Sequence, residues 1–449
     1  MNLFSHRPGP LLALMLAVCL TISLRAQESA PQVFSLDAAV EYAMANGTAI
    51  KNARVDILDA EQNVKERLST GLPQINGSLD FTHYLKVPVL PLPEAFAMGD
   101  PNAPTSIAFQ LKNSFTAGLS AQSMLFDGSF FVGLRAARAS GDYFNLQLEN
   151  TQRTLRSQVV KAYFPVLLLK TNVGILDRNI SNLEKLKNET EAQYEAGFVE
   201  QLDVDRLVLS LNNLRSQRDQ VARQGENALR ALKFTLNYPL EDGLQVEDDL
   251  DKLETEIEAA ALTADIPYLR RPELRLLDKT IELQKLNEEL TRAAYLPTVY
   301  ANVAAQYQYQ GDNFSDGFWA PTVLVGLQAN IPIYDFGGRS ARKERAILAT
   351  QKVVNQRNDV ERSIQLEVLN ARTTFVGASD RLAVVKSNLE LAERIYETTQ
   401  VKYREGVGSS IEIVQAEQAL YESQANYLNA LYETLVAKED LYLALGRPQ

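Results

Sequence analysis

Four stretches of the chain alternate apolar and polar residues with period two, the pattern of strands with one apolar face. In 74–85, Ile75, Leu79, Phe81 and Leu85 share a face opposite Gln74, Asn76, Ser78, Asp80 and Thr82. In 109–125, Phe109, Leu111, Phe115, Leu119 and Leu125 oppose Gln110, Lys112, Ser114, Thr116, Ser120 and Gln122. In 298–310, Val299, Ala301, Val303, Tyr307 and Tyr309 oppose Asn302, Gln306, Gln308 and Gln310. In 322–333, Val323, Val325, Leu327, Ile331 and Ile333 oppose Gln328 and Asn330. Each stretch reaches the ~9–11 residues that a tilted strand needs to cross a bilayer. Four strands cannot close a barrel, and open edges are not tolerated in lipid, so membrane strands here require several protomers to share one barrel. The same residues also suit two soluble hairpins on a sandwich, and alternation alone does not choose between them.

Elsewhere the period is helical. Residues 339–405 hold one glycine, Gly377, and no proline. At ~1.5 Å per residue such a helix reaches roughly 100 Å. Its counterpart, 129–196, contains Gly133, Gly141, Pro165 and Gly174, which predict local bends. Leu382, Val385, Leu389, Ala392 and Tyr396 recur at spacings of three and four, and Val414, Tyr421, Leu428 and Leu435 repeat every seven. That is coiled-coil spacing. Helices of this length must pack on one another and on neighbours to bury their stripes. Gly197 and Gly406 each supply a left-handed cap, after which a second helix runs back.

The chain repeats one plan twice. LPQINGSLDF (72–81) resembles LPTVYANVAA (296–305), LFDG (125–128) matches IYDFGG (333–338), and YEAGFVEQLDV (194–204) matches YREGVGSSIEI (403–413). Asp127 to Gly197 is 70 residues and Asp335 to Gly406 is 71. Only the first hairpin is longer: Pro73 to Asp127 spans 54 residues and Pro297 to Asp335 spans 38, the excess lying in a Pro-rich tip around 87–104. The expected organisation is a leader over 1–26 and a first repeat over 27–235, with its β-hairpin at 72–127 and its helical hairpin at 129–235. An acidic connecting segment follows over 236–272. The second repeat covers 273–449, with its β-hairpin at 296–335 and its helical hairpin at 338–446.

The leader reads as a secretory signal: Arg7 lies in a short polar start, 11–20 is an apolar run too short to span a bilayer, and Ala26 precedes the expected cut. LAVC (16–19) offers lipid attachment at Cys19 as an alternative. Removing Arg7 and Arg25 with the leader takes the net charge from −11 to −13, which argues against nucleic acid as a partner. Beyond the leader there is no cysteine and one histidine, His83, so no thiolate or histidine metal site is expected, and no catalytic triad. No Gly-rich phosphate loop is present. The carboxylates sit mostly at helix-surface spacing, where solvated pairs are the default. The sequence therefore points to neither an enzyme nor a cofactor protein. No later stretch of eighteen apolar residues predicts a transmembrane helix.

FSLDAAVEYAMANG (34–47), LP (72–73 and 296–297), RPEL (271–274), YREGVGSSIEIVQAEQALYESQANYLNALY (403–432) and LALG (443–446) together resemble TolC-like outer-membrane efflux proteins. The likeness covers essentially the whole chain beyond the leader. It implies a mixed α+β membrane channel in which three protomers each give four strands to a twelve-stranded barrel in outer-membrane lipid. That barrel is continuous with a long periplasmic α-helical coiled-coil barrel. It also implies a homotrimer that receives small molecules from an inner-membrane transporter through a periplasmic adaptor, and performs no chemistry itself. A gate is implied near the second tip. Glu412 matches a constricting carboxylate, Gln415 stands where some members carry a second acid, Tyr403 matches a gate tyrosine, and Asp203 its hydrogen-bond partner. Gly408 replaces a basic latch residue. Three Glu412 carboxylates would form a ring that favours cations. Tyr194, Gly197, Tyr403 and Gly406 mark the rim where adaptor hairpins would dock. Phe318 and Trp319 are candidates for an interfacial aromatic girdle. The same fold in type I protein secretion, and a soluble periplasmic coiled-coil scaffold, are the alternative readings.

Overall fold

The computed structural model describes residues 32–92, 104, 106–248, 250, 265–266 and 268–446. The expected leader, Cys19, most of the first hairpin's tip and much of the acidic connection lie outside the described residues. In chain order the elements are β1 (Gln32–Phe34), α1 (Leu36–Asn46), α2 (Thr48–Ser69), β2 (Gln74–His83), β3 (Val89–Pro91), β4 (Ser106–Ala108), β5 (Asn113–Asp127), α3 (Gly128–Glu195), α4 (Gln201–Leu236) and β6 (Leu244–Val246). After a 3-10 turn at Tyr268–Arg270 come α5 (Pro272–Ala293), β7 (Thr298–Gly311), β8 (Phe318–Asn330), α6 (Gly338–Arg404) and α7 (Ser410–Ala444). They form two units: 54–147 with 272–360, and up to 53 with 148–271 and 361 onward.

The first of these units holds an antiparallel sheet of order β2-β5-β7-β8. Its register sets like against like on each face. Ile75, Ala121, Val303 and Val325 form one row; Leu79, Ala117, Tyr307 and Pro321 another; Phe81, Phe115, Tyr309 and Trp319 a third. The opposite face carries rows such as Gln74–Gln122–Asn302 and Asp80–Thr116–Gln308. Much of this face is open, with Leu79 76% exposed and Val325 77%, although Tyr309 is buried. Among the described residues, β2 and β8 each leave one edge of the sheet unpaired.

Three local expectations change. Residues 109–112 precede β5 instead of opening it, and an irregularity between Met124 and Phe126 takes Leu125 out of the ladder. β8 begins at Phe318 and ends before Ile331, because Pro332 has no amide to continue the ladder, while Pro321 is accommodated on this edge strand opposite Tyr307. Trp319 joins the aromatic row, its ring centre 4.9 Å from that of Tyr307 and 5.2 Å from that of Tyr309, whereas Phe318 pairs with Gln310 on the polar face. Of the two girdle candidates, the apolar row contains only the tryptophan.

The strand-to-helix corners explain the paired Asp landmarks. Asp127 accepts the Ser129 amide at 2.8 Å to start α3, and Asp335 accepts the Arg339 amide at 2.8 Å to start α6. Helix α3 runs as one continuous helix through Gly133, Gly141, Pro165 and Gly174, the positions where local bends were expected. Pro165 lacks one helical bond, but its neighbours Tyr163, Phe164 and Leu167 are buried in the core of the other unit, and that packing outweighs the local loss. Part of α3 is long and apolar enough to cross a membrane by length and composition, and 44% of that stretch is buried within the protein.

In that unit β1 pairs in parallel with β6. The Tyr163 hydroxyl lies 2.9 Å from the Phe34 carbonyl oxygen and 2.8 Å from the Asp248 carboxylate, which also accepts the Leu36 amide. Arg271, of the RPEL motif, is 3% exposed. Its guanidinium donates to the carbonyls of Ala444 at 2.6 Å and Leu443 at 3.3 Å, capping α7, and to Glu367 on α6 at 2.7 Å. Replacing Arg271 with Ala leaves the Ala444 carbonyl without its donor and breaks the link to Glu367, while the Leu443 carbonyl keeps Arg153 and the Gly446 amide, and should cost about 1–3 kcal/mol. The expected result is a clearly lower thermal unfolding midpoint for the purified protein in detergent. An unchanged midpoint would show that the cap carries no net stability.

Candidate functional site

Both long helical hairpins turn through the same device. At the end of α3, Gly197 adopts φ +79°, its amide bonds the Tyr194 carbonyl at 2.9 Å, and Phe198 reaches back to Gln193 at 2.9 Å. At the end of α6, Gly406 adopts φ +74°, bonds the Tyr403 carbonyl at 3.1 Å, and Val407 reaches Lys402 at 3.0 Å. This left-handed closure is open to glycine at little cost. Each return helix has an acid at its third position: Asp203 closes a capping box with Glu200, and the Glu412 amide is held by the Ser409 hydroxyl at 3.4 Å. Gly408 packs on the last turn of α6, where a Cβ would come within 3.1 Å of the Tyr403 nitrogen. A longer side chain at the expected latch position would crowd that turn.

The residues implied by family resemblance separate into two groups. Tyr403 is buried, and its hydroxyl lies 3.2 Å from that of Thr190 on α3. Thr190 spends its own hydrogen on the Leu186 carbonyl at 2.9 Å, so Tyr403 donates. Burial pushes the Tyr403 phenol up, and the charge of nearby Asp203 adds to this. The expected Tyr403–Asp203 hydrogen bond is not formed. Asp203 instead accepts the Ser410 hydroxyl and lies 3.7 Å from the Arg206 guanidinium, which itself donates to Ser410 at 2.8 Å. The reason is competition: Ser410 and Arg206 meet the carboxylate where α4 and α7 touch, while Thr190 faces the phenol. Glu412 and Gln415, one turn apart on α7, are exposed and make no side-chain hydrogen bond among the described residues. They stand together as free polar groups on one helix face. Tyr194, Phe198 and Val407 are also exposed at the tips.

The model of the outer membrane efflux protein family matches residues 39–238 and 268–447. The chain belongs to this family. The pyoverdine export outer membrane protein of Pseudomonas aeruginosa is 23% identical over 335 residues, spanning 74% of this chain and 70% of that protein. The toluene efflux pump outer membrane protein of Pseudomonas putida is 26% identical over 308 residues, spanning 66% of this chain and 61% of that protein. A solved structure of CusC, described with its transmembrane channel formation, superposes with a TM-score of 0.70 at 19% identity, covering 91% of each chain. The fold is therefore the TolC-like channel fold, mixed α+β with long helices, and the family is one of outer-membrane transport proteins and not of enzymes.

One buried group escaped the reading of the sequence. Glu417 of α7 is 0% exposed, accepting from the hydroxyls of Tyr421 and, at 3.2 Å, Ser210 on α4. A glutamate in a Glu- and Gln-rich helix looks solvated. Its spacing from Ile413, Ala416 and Leu420, all buried, was the signal that it lies on the core stripe. Burial pushes the Glu417 carboxyl up, and the two hydroxyls offset only part of this. Its charge helps burial to push the Tyr396 phenol up to about 12. The folded protein thus holds the Glu417 proton to higher pH than the unfolded chain, so raising pH from the ordinary carboxylate range through the folded pKa costs stability. Glu417→Gln should remove that part of the slope of unfolding temperature against pH. A variant with the parent's slope would refute the assignment to Glu417.

Proposed function

We propose that the chain is the outer-membrane duct of a tripartite efflux system, a passive conduit for small molecules completed by three copies. The observation that carries this reading is the sheet: three rows of apolar side chains on one face, polar rows on the other, and an unpaired edge at each side. An apolar outer face with a polar inner face suits strands set between lipid and water. Edges left open in lipid would each carry unsatisfied amides, and sister strands remove them. Family membership supports export as the task, and the names of the relatives, which speak of pyoverdine and toluene, support small molecules as the cargo class.

In this reading a periplasmic adaptor docks at the tips, around Tyr194, Gly197, Tyr403 and Gly406, and an inner-membrane transporter supplies the energy. The exposed Phe198 and Val407 beside the two glycines offer apolar contact for such a partner. Glu412 and Gln415 line the constriction, with Tyr403 and Asp203 bracing the helices behind them. A ring of three Glu412 carboxylates attracts cations, and the neutral Gln415 adds no second ring.

Extraction from outer membranes should yield a heat-sensitive trimer that forms pores in planar bilayers. A monomer recovered only from the osmotic-shock fluid would rule the channel out. In such bilayers Glu412→Gln should lower the preference for potassium over chloride. Unchanged selectivity would take Glu412 out of the constriction while leaving the channel standing.

A further inference from the structure

The internal repeat maps the second hairpin onto the first at one fixed offset: Tyr403 onto Tyr194, Gly406 onto Gly197, Thr399 onto Thr190, Ile395 onto Leu186. The helix ends obey the same offset, with Glu195 matching Arg404 and Gln201 matching Ser410. Local bonding follows it too, since Thr399 donates to the Ile395 carbonyl at 2.8 Å as Thr190 does to Leu186.

Burial does not follow it. Inside the chain, Tyr403 of the second half packs on Leu186 and Thr190 of the first. That seam leaves Tyr403 7% and Leu186 1% exposed, whereas their counterparts Tyr194 and Ile395 are 41% and 48% exposed. The chain therefore uses one flank of each half and leaves the complementary flank of each half open. We propose that a second copy of this chain covers them by repeating the internal seam, so that Tyr194 of one copy donates to Thr399 of the partner subunit and packs on Ile395 of the partner subunit. This rests on the reading that sister chains complete the channel, and specifies which residues meet.

A second pair supports the mapping independently. Within the chain, Ser210 of α4 donates to buried Glu417 of α7. At the offset, Ser210 corresponds to Ala419 and Glu417 to Val208. Both of these positions are apolar. A repeated seam with a buried glutamate facing alanine would strand a carboxylate, and the pair present avoids that cost. Each step joins second half to first half in one sense, so the contact is head-to-tail and not a two-fold pair, and it closes as a ring when three copies complete the channel.

A tyrosine–threonine side-chain contact holds two backbones too far apart for a direct disulfide, so the test uses a short bismaleimide. The Tyr194→Cys/Thr399→Cys variant, treated in outer membranes, should give a ladder of covalent dimer and trimer on denaturing gels. Each single variant should stay monomeric. Thr190→Cys/Tyr403→Cys, a pair in contact within the chain, should link internally and calibrates the reagent. An intact trimer with the internal pair linked but no ladder overturns the proposed seam alone. A protein that forms no trimer overturns the channel reading beneath it as well. Tyr194→Phe, which keeps the ring and loses one hydroxyl, should lower the temperature at which the trimer dissociates. No change there would also count against the hydrogen bond.

Discussion

An amide without a hydrogen-bond partner in hydrocarbon costs several kcal/mol, and a strand edge presents a row of them. That constraint governs this chain more than any side-chain contact. Its four strands pair in one continuous ladder from β2 to β8, and nothing in the chain covers the outer edges of those two strands among the described residues. A soluble protein would blunt such edges with charge, with bulges or with a covering helix. Here the edge strands carry Ile75, Leu79, Phe81, Val323, Val325 and Leu327 on the exposed apolar face. Edges of that composition call for partner strands, and closure removes the cost for all of them at once.

The helices meet the complementary problem, in which the surface to be buried exceeds what one chain encloses. Leu183, Leu207, Ile413 and Leu420 are buried in a core shared by the two hairpins, while Leu391, Ile395 and Val401 of α6 stay open. Long amphipathic helices with more than one apolar stripe are stable only when each stripe has a partner. Polar groups inside such packing need partners. Arg271 spends its donors on carbonyls and Glu367, and Glu417 collects two hydroxyls. Both fix one arrangement of helices, because a slip by one residue would leave a charge or a carboxyl without its partners.

Much of this was legible because periodicity reports burial directly. Alternation placed all four strands, and the absence of proline with a single internal glycine, Gly377, marked α6. The misplaced ends have particular causes. Alternation was expected over 322–333, yet a proline is acceptable on an edge strand, so β8 extends back through Pro321, and the bulge near Leu125 shifts a phase that simple alternation assumes constant. The helix through Pro165 persists because tertiary packing overrides propensity. At the tips, the glycine turns were readable from Tyr-x-x-Gly, since only a left-handed residue closes a helix in that way. The partners of Tyr403 and Asp203 were not, because Thr190, Ser410 and Arg206 come from other helices and no local spacing announces them.

Duplication explains why the two halves could diverge without losing the tube. A repeat that packs on copies of itself must keep both flanks complementary, so one seam cannot change alone unless the chain makes the seams inequivalent. Fusing two repeats does so: the seam within a chain and the seam between chains are then written by different residues. Glu417 with Ser210 occupies the first, and Val208 with Ala419 stands at the corresponding positions for the second. The inner seam thus gains a carboxyl whose pKa burial has raised, while the outer one gains contact that does not titrate. Asp203 and Glu412 diverge in the same way. The first is consumed by Ser410 and Arg206 inside the chain, and the second, one methylene longer, is exposed and makes no side-chain hydrogen bond among the described residues. An unduplicated repeat would have to engage both acids or leave both free, and so could not use the same position once to brace its helices and once as an exposed carboxylate.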